Sequence, residues 1–252
     1  MFKIIGMTKL IWKLFKIVLT LLLAFLMYVV IGGVVPFLHH PDVSQTKKEA
    51  VESTQFYSDS VGPDRATIIE DNEEALKMRL RVIKDAQKTL ILSTFDFRSD
   101  DAGKDILAAL LNAADRGVKV EIFADGFNSI IQMENNDYFY ALSSNKNIKI
   151  IIYNQVNILI PWNGLGRMHD KYVIADDSLY ILGGRNTFGY FLGDYAGHKN
   201  YDRDVLVYNT GSKASSIYQI KDYYKKITSQ KCCSVFHCNE SLGEKNSVKK
   251  AE

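Results

Sequence analysis

The run from Ile17 to Leu38 carries no charged side chain, and it restricts the chain's folding options more sharply than any other stretch. About 20 consecutive apolar residues cross a bilayer as a helix. Lys3, Lys9, Lys13 and Lys16 precede the run, and the first acidic residue is Asp42. Basic residues are retained on the cytoplasmic side. Residues 1–16 therefore read as a basic cytoplasmic segment and residues 17–38 as one transmembrane helix. A core helix would show a polar face, and a cleaved signal would end in a small-x-small pair; neither is present. The rest of the chain is expected on the outer side of the cell membrane.

Residues 39–68 are polar, contain Pro41, Gly62 and Pro63, and read as a juxtamembrane linker. Helical and extended patterns then alternate to about residue 230. Ile69–Gln87 places Leu76, Leu80, Ile83 and Ala86 on one helical face. Thr89–Phe95, Val118–Ala124 and Ile148–Tyr153 are strand-like runs. Asp100 or Asp101 caps a helix bearing Ile106, Leu107, Leu110 and Leu111, which Gly117 ends. Asp125-Gly126 opens a helical region to about Leu142. Residues 154–167 connect onward through apolar Ile158–Trp162, either a lip for acyl chains or membrane surface or a loop packed over the core. Val205–Tyr208 is a further strand, and Ser212 caps a last helix to Ile227. This alternation predicts an α/β sandwich with a mixed or largely parallel sheet over residues 69–230. Residues 231–252 read as a polar tail. Cys232, Cys233 and Cys238 are odd in number and lack a second paired ligand set, so neither a disulfide framework nor a metal site is expected.

The whole chain has 31 basic and 29 acidic residues, but four of the lysines lie before residue 42 with no acid among them. The remainder is near neutral. A nucleic-acid partner calls for a basic footprint, so that class is disfavoured.

The chemistry is concentrated between Met168 and Asn186. His169-x-Lys171 is followed after four residues by Asp176 and after six more by Gly183-Gly184-x-Asn186. Residues 168–175 read as a strand, on which side chains alternate; His169 and Lys171 then share a face roughly 7 Å apart. Asp176-Asp177-Ser178 is a turn signal, and Leu179–Leu182 runs back to the two glycines. Glycines permit positive φ and close approach of backbone to an anion. A neutral imidazole attacks phosphorus, and an ammonium on the same face neutralises a non-bridging oxygen. Asn186 is placed to hydrogen-bond another oxygen. A carboxylate orienting the imidazole is sought at Asp204 or Asp202. His198, in a Gly-His-Lys-Asn loop, reads as a surface histidine.

At these positions the chain resembles the phospholipase D superfamily, whose His-Lys-Asp motif is matched throughout. Ser93–Phe97, Asp115–Val120 and Tyr201–Val205 make it most similar to membrane-anchored bacterial cardiolipin synthases. The resemblance, over roughly residues 56–228, implies a phospholipase D-like α/β/α sandwich preceded by one transmembrane helix. It implies His169, Lys171, Asp176 and Asn186 as catalytic residues, with Gly183, Gly184, Asp202 and Asp204 contacting substrate. It implies a ping-pong reaction through a phosphohistidine, needing no metal or cofactor, on a membrane phospholipid such as phosphatidylglycerol. Members of this kind unite two motifs at one site. One His-x-Lys is present here, so a homodimer or a second motif-bearing half is expected. A single-motif nuclease or phosphodiesterase, a phospholipase, and a catalytically incomplete half are the competing expectations.

Overall fold

The computed structural model describes residues 2–38, 42, 44, 45, 48, 59–157 and 159–237. His39, His40, Cys238, most of the predicted linker and most of the predicted tail lie outside the described residues. Two compact units are present, helix α1 (Phe2–Val34) with residues 157–165, and residues 59–156 with 166–237.

In the first unit, α1 begins well before Ile17 and takes in the lysines. At 1.5 Å per residue its 33 residues extend about 50 Å. Thr8–Val34 is apolar enough to cross a membrane, with a mean hydropathy of 2.7, and is not buried by the protein. A short 3-10 turn, Val35–Phe37, follows. Within this unit, residues 159–162 of the apolar connection lie against the helix. The Tyr28 hydroxyl donates to the Leu159 carbonyl at 2.7 Å, and the Trp162 ring meets Tyr28 edge-on at 5.2 Å. Trp162 packs over Gly32, leaving no room there for a Cβ.

The second unit is built on one sheet whose strands are β1 (Asp64–Ile69), β2 (Thr89–Thr94), β3 (Lys119–Asp125), β4 (Ile148–Tyr153), β5 (Tyr172–Ala175), β6 (Leu179–Gly183), β7 (Asp204–Asn209) and β8 (Cys233–Val235). Their order is β1-β7-β6-β5-β2-β3-β4-β8. The centre, β2-β3-β4, is parallel, with Leu90 opposite Val120 and Val120 opposite Ile148. The remaining pairs are antiparallel. The helices are α2 (Asn72–Asp85), α3 (Asp101–Asp115), α4 (Gly126–Gln132), α5 (Asp137–Ser144) and α6 (Ser216–Thr228).

Strand periodicity of two sorts the core into two faces. Leu90, Leu92, Val120, Ile122, Ile150 and Val173 pack with residues of α2, α3 and α5. Ile91, Phe123, Ile151, Tyr172 and Ile174 pack with Ile217 and Tyr224 of α6. Helices on both faces of a mixed sheet give the expected α/β/α sandwich. Local signals set the helix ends. Asp71, Asp100, Asp125 and Ser215 each accept backbone N–H groups as N-caps. Gly117, at φ +94°, closes α3: Gly117 N–H bonds Ala114 O and Val118 N–H bonds Ala113 O, the paired ending that a left-handed residue allows.

Four elements differ from expectation. Ile69 ends β1 rather than opening a helix, so α2 starts after Asp71. β1 lies in the predicted linker, and β8 in the predicted tail. Both are sheet edges held mainly by backbone pairing to β7 and β4, which leaves a weak side-chain pattern. Ser215, not Ser212, caps the last helix; Ser212 sits in the turn that Asn209 Oδ1 closes.

Candidate active site

The strand ahead of the motif's turn is shorter than its composition suggests. β5 begins at Tyr172, so His169 and Lys171 lie in the segment leading into it. They meet nevertheless. Lys171 Nζ is 3.1 Å from His169 Nδ1 and donates to the His169 carbonyl at 2.7 Å.

Asp125 fixes that segment. It stands at the end of β3 and is 1% exposed. Its carboxylate caps α4 through the Phe127 and Asn128 N–H groups. It also binds the Arg167 guanidinium through both oxygens, at 2.6 and 3.0 Å, and accepts the Met168 N–H at 3.1 Å. The residues immediately before His169 are thereby pinned. The Phe95 ring lies edge-on to the imidazole at 4.5 Å, and the Arg167 guanidinium is 4.9 Å from both Phe95 and Phe127. In the sequence Asp125 shows only as a helix start. Its second role depends on a partner 42 residues away, which no local pattern displays.

His169 is exposed, whereas Lys171 is 4% exposed. Desolvation holds the imidazole below its ordinary pKa, and the Lys171 charge adds to this against the opposing Asp170 and Asp125. Burial likewise lowers the Lys171 ammonium, with Asp202 and Asp170 opposing. Among the described residues no carboxylate forms an ion pair with Lys171 at contact distance. The pair opens on a cavity of about 440 Å³ lined by His169, Lys171, Tyr172, Leu182, Gly183 and Gln219, among others. A neutral imidazole beside an ammonium without a carboxylate partner, both facing open space, suits an incoming anion.

The other expected residues separate into two groups. Gly183 and Gly184 do not take positive φ. They are required for close packing: a Cβ at Gly183 would strike the Asp204 carboxylate, and one at Gly184 that of Asp202. Asp202 is therefore near the site, and its charge is felt by Lys171. Asn186 is brought to the adjoining loop, where its side-chain oxygen accepts the Asp96 N–H at 3.2 Å; Asp96 follows Phe95, the ring against His169.

Asp204 and Asp176 are not brought to the imidazole. Asp204 is buried, with Oδ2 bound by Arg79 at 2.9 Å and Arg185 at 3.2 Å and Oδ1 without a hydrogen-bond partner among the described residues; neither oxygen bonds His169, which corrects the expectation that it orients that ring. Asp176 lies at the opposite end of β5, in the turn to β6, at φ +52°. There its carboxylate accepts the N–H groups of Gln87, Lys88 and Thr89 at 2.8 to 2.9 Å. Five residues of extended chain separate it from Lys171, about 16 Å, so its position ties the hairpin to β2 rather than serving the reacting centre. Arg203 pairs with Glu70. His198 is exposed and bonded to Asn200.

A family model described as "Cardiolipin synthase, PLD-like domain" matches residues 80–227. "Cardiolipin synthase B" of Salmonella typhi is 32% identical over 142 residues, covering 56% of this chain and 34% of that protein. "Cardiolipin synthase B" of Escherichia coli K12 is 31% identical over 144 residues, with the same coverage. An uncharacterised Helicobacter pylori protein is 30% identical over 166 residues, covering 61% of this chain and 32% of that protein. The chain thus spans about a third of the length of the curated relatives it matches. Among solved structures, NucT from Helicobacter pylori superposes with a TM-score of 0.54 at 22% identity, over 69% of this chain and 99% of that one. Nuc from Salmonella typhimurium, a phospholipase D family member, gives 0.50 at 20% identity, over 69% and 98%. At these identities the two structures show a shared fold.

Proposed function

The chain belongs to the family described as "Cardiolipin synthase, PLD-like domain", and on that premise we propose that it is a membrane-anchored phosphatidyltransferase acting through a phosphohistidine. The observation that carries the reading is the His169–Lys171 pair at 3.1 Å, open to a cavity, with the imidazole held toward its neutral form.

The resting contact has a consequence for the chemistry. A charged Lys171 facing Nδ1 makes that nitrogen an acceptor, which places the ring proton on Nε2. Attack through Nε2 requires the proton on Nδ1 instead. Arrival of a phosphodiester draws Lys171 from the ring to a non-bridging oxygen and releases Nδ1 to carry the proton, with Asp202, whose charge acts on Lys171, assigned to accept its hydrogen bond. The Nε2 lone pair then forms a bond to phosphorus as the ester P–O bond breaks. The departing alcohol oxygen takes its proton from a second imidazolium. That group then deprotonates the acceptor alcohol, whose oxygen attacks phosphorus and expels neutral His169.

Residues 1–252 carry one His-x-Lys, and in the proposed reaction the second imidazole comes from another copy of this chain or from a second motif-bearing half. Phosphatidylglycerol as donor and acceptor gives cardiolipin; water as acceptor gives phosphatidic acid. α1 fits a membrane anchor by length and composition, and the proposed topology keeps the lysine-bearing amino terminus in the cytoplasm and the sheet domain outside. The near-neutral domain argues against a nuclease.

The reading is tested with phosphatidylglycerol labelled in its phosphate. Rapid quenching is expected to trap label on the chain, acid-labile and base-stable as a phosphoramidate is. His169→Ala is expected to lose both the label and turnover. Full turnover by His169→Ala, or cleavage of DNA but not lipid by the native chain, overturns it.

A further inference from the structure

At the end of β3, α4 presents an apolar face to solvent. Phe127, Ile130 and Ile131 recur at i, i+3 and i+4, one side of a helix, and are 46%, 42% and 56% exposed. The opposite side is locked down. Asp125 caps the helix, and Asn128 Nδ2 donates to the Phe95 carbonyl at 2.8 Å. Gly126 lies so close to the carbonyls of Tyr153 and Asn154 that no Cβ fits. The helix therefore holds three large apolar side chains outward with no freedom to fold them in. Clustered exposure of this kind marks a surface that something covers.

The face is continuous with the reacting centre. Phe127 contacts the Arg167 guanidinium, which contacts Phe95, whose ring meets the imidazole of His169. We infer that the outer face of α4, with Arg167 at its margin, inserts into the interfacial layer of a phospholipid bilayer and sets His169 at headgroup depth. This rests on the membrane-anchored reading above. Aromatic and aliphatic side chains bordered by a cation form the composition that settles at that interface, apolar atoms toward acyl chains and charge toward headgroups. Chain connectivity favours the bilayer as occupant. Trp162 and Leu159 lie against the anchor helix, and Leu165, the end of that segment, precedes Arg167 by two residues, about 7 Å of extended chain.

The test uses the full chain in phosphatidylglycerol vesicles, with Cys232, Cys233 and Cys238 replaced by serine and one fluorophore placed through Ile131→Cys. Ile68→Cys serves as the reference, since Ile68 is 64% exposed on edge strand β1. Doxyl-labelled phospholipid is expected to remove most of the emission at position 131 and little at 68, with iodide giving the reverse. Iodide quenching at 131 equal to that at 68 overturns the inference, because the face is then in water. Protection of 131 from both quenchers also overturns it, because a second copy then covers the face. Quenching is read without turnover. A lipid-quenched chain that is inert toward lipid sinks the proposed reaction and leaves the docking standing; an active chain with position 131 in water does the opposite.

Discussion

Replacing Asp204 by asparagine separates a structural carboxylate from a catalytic one. The side chain keeps its shape and one acceptor oxygen but loses its charge. Arg79 and Arg185, 2.9 and 3.2 Å from Oδ2, have side chains no more than 4% exposed. Other partners remain: Ala75 O for Arg79, and Ile69 O, Glu70 O and the Asn72 side chain for Arg185. These are neutral acceptors and do not cancel two cations. Removing one partner from a buried ionic cluster costs about 3–5 kcal/mol. For a domain of this size each kcal/mol lowers Tm by roughly 2–4 °C; Asp204→Asn is therefore expected to melt roughly 6–20 °C below the native chain. The assay is thermal denaturation followed by circular dichroism in detergent or nanodiscs, paired with turnover per folded molecule at a temperature where both proteins are folded. Asp202→Asn is the control. Its carboxylate packs on Gly184 and its charge acts on Lys171, so it is expected to leave Tm nearly unchanged and to lower turnover. An Asp204→Asn protein with native Tm and no activity would refute the assignment of these two carboxylates.

Lys171→Met is expected to cost 10²–10³-fold in turnover, the size of a lost transition-state charge contact of about 3–4 kcal/mol, with Tm unchanged or raised, because a nearly buried ammonium without a carboxylate partner is removed. Titration of His169 by NMR is expected to give a midpoint below 6.5, since desolvation and Lys171 both disfavour the imidazolium; activity then persists below that pH and falls as the ring takes up a proton, and in Lys171→Met the midpoint moves up. Asp176→Ala removes the acceptor of three backbone N–H groups and places alanine at φ +52°; it is expected to lose about 2–4 kcal/mol of stability in a denaturant titration, while the molecules that remain folded keep native turnover.

Much of this protein is written locally. The uncharged run, the helix caps at Asp100 and Asp125, the Gly117 ending, and the strands Thr89–Thr94 and Ile148–Tyr153 follow from short-range chemistry that any window of the chain displays. The spacing of His169, Lys171 and Asn186 is legible for the same reason. What the chain's own order conceals is partnership across the sheet. Asp176 and Asp204 share carboxylate chemistry with Asp202, and sequence placed all three near one imidazole. Register separates them: Asp176 caps the far end of β5, and Asp204 meets Arg79 from 125 residues away. The glycines were read as donors of backbone freedom, yet they are spaces into which Asp202 and Asp204 pack. Edge strands β1 and β8 were invisible because backbone hydrogen bonds to β7 and β4 hold them, and those bonds make little demand on side-chain type. Sequence determines which groups are available, which core stretches are strand or helix and where the uncharged apolar run lies, since propensity, capping and hydrophobicity act over a few residues. Only the folded sheet decides which carboxylate meets which cation, because that choice is made by strands brought together from distant parts of the chain.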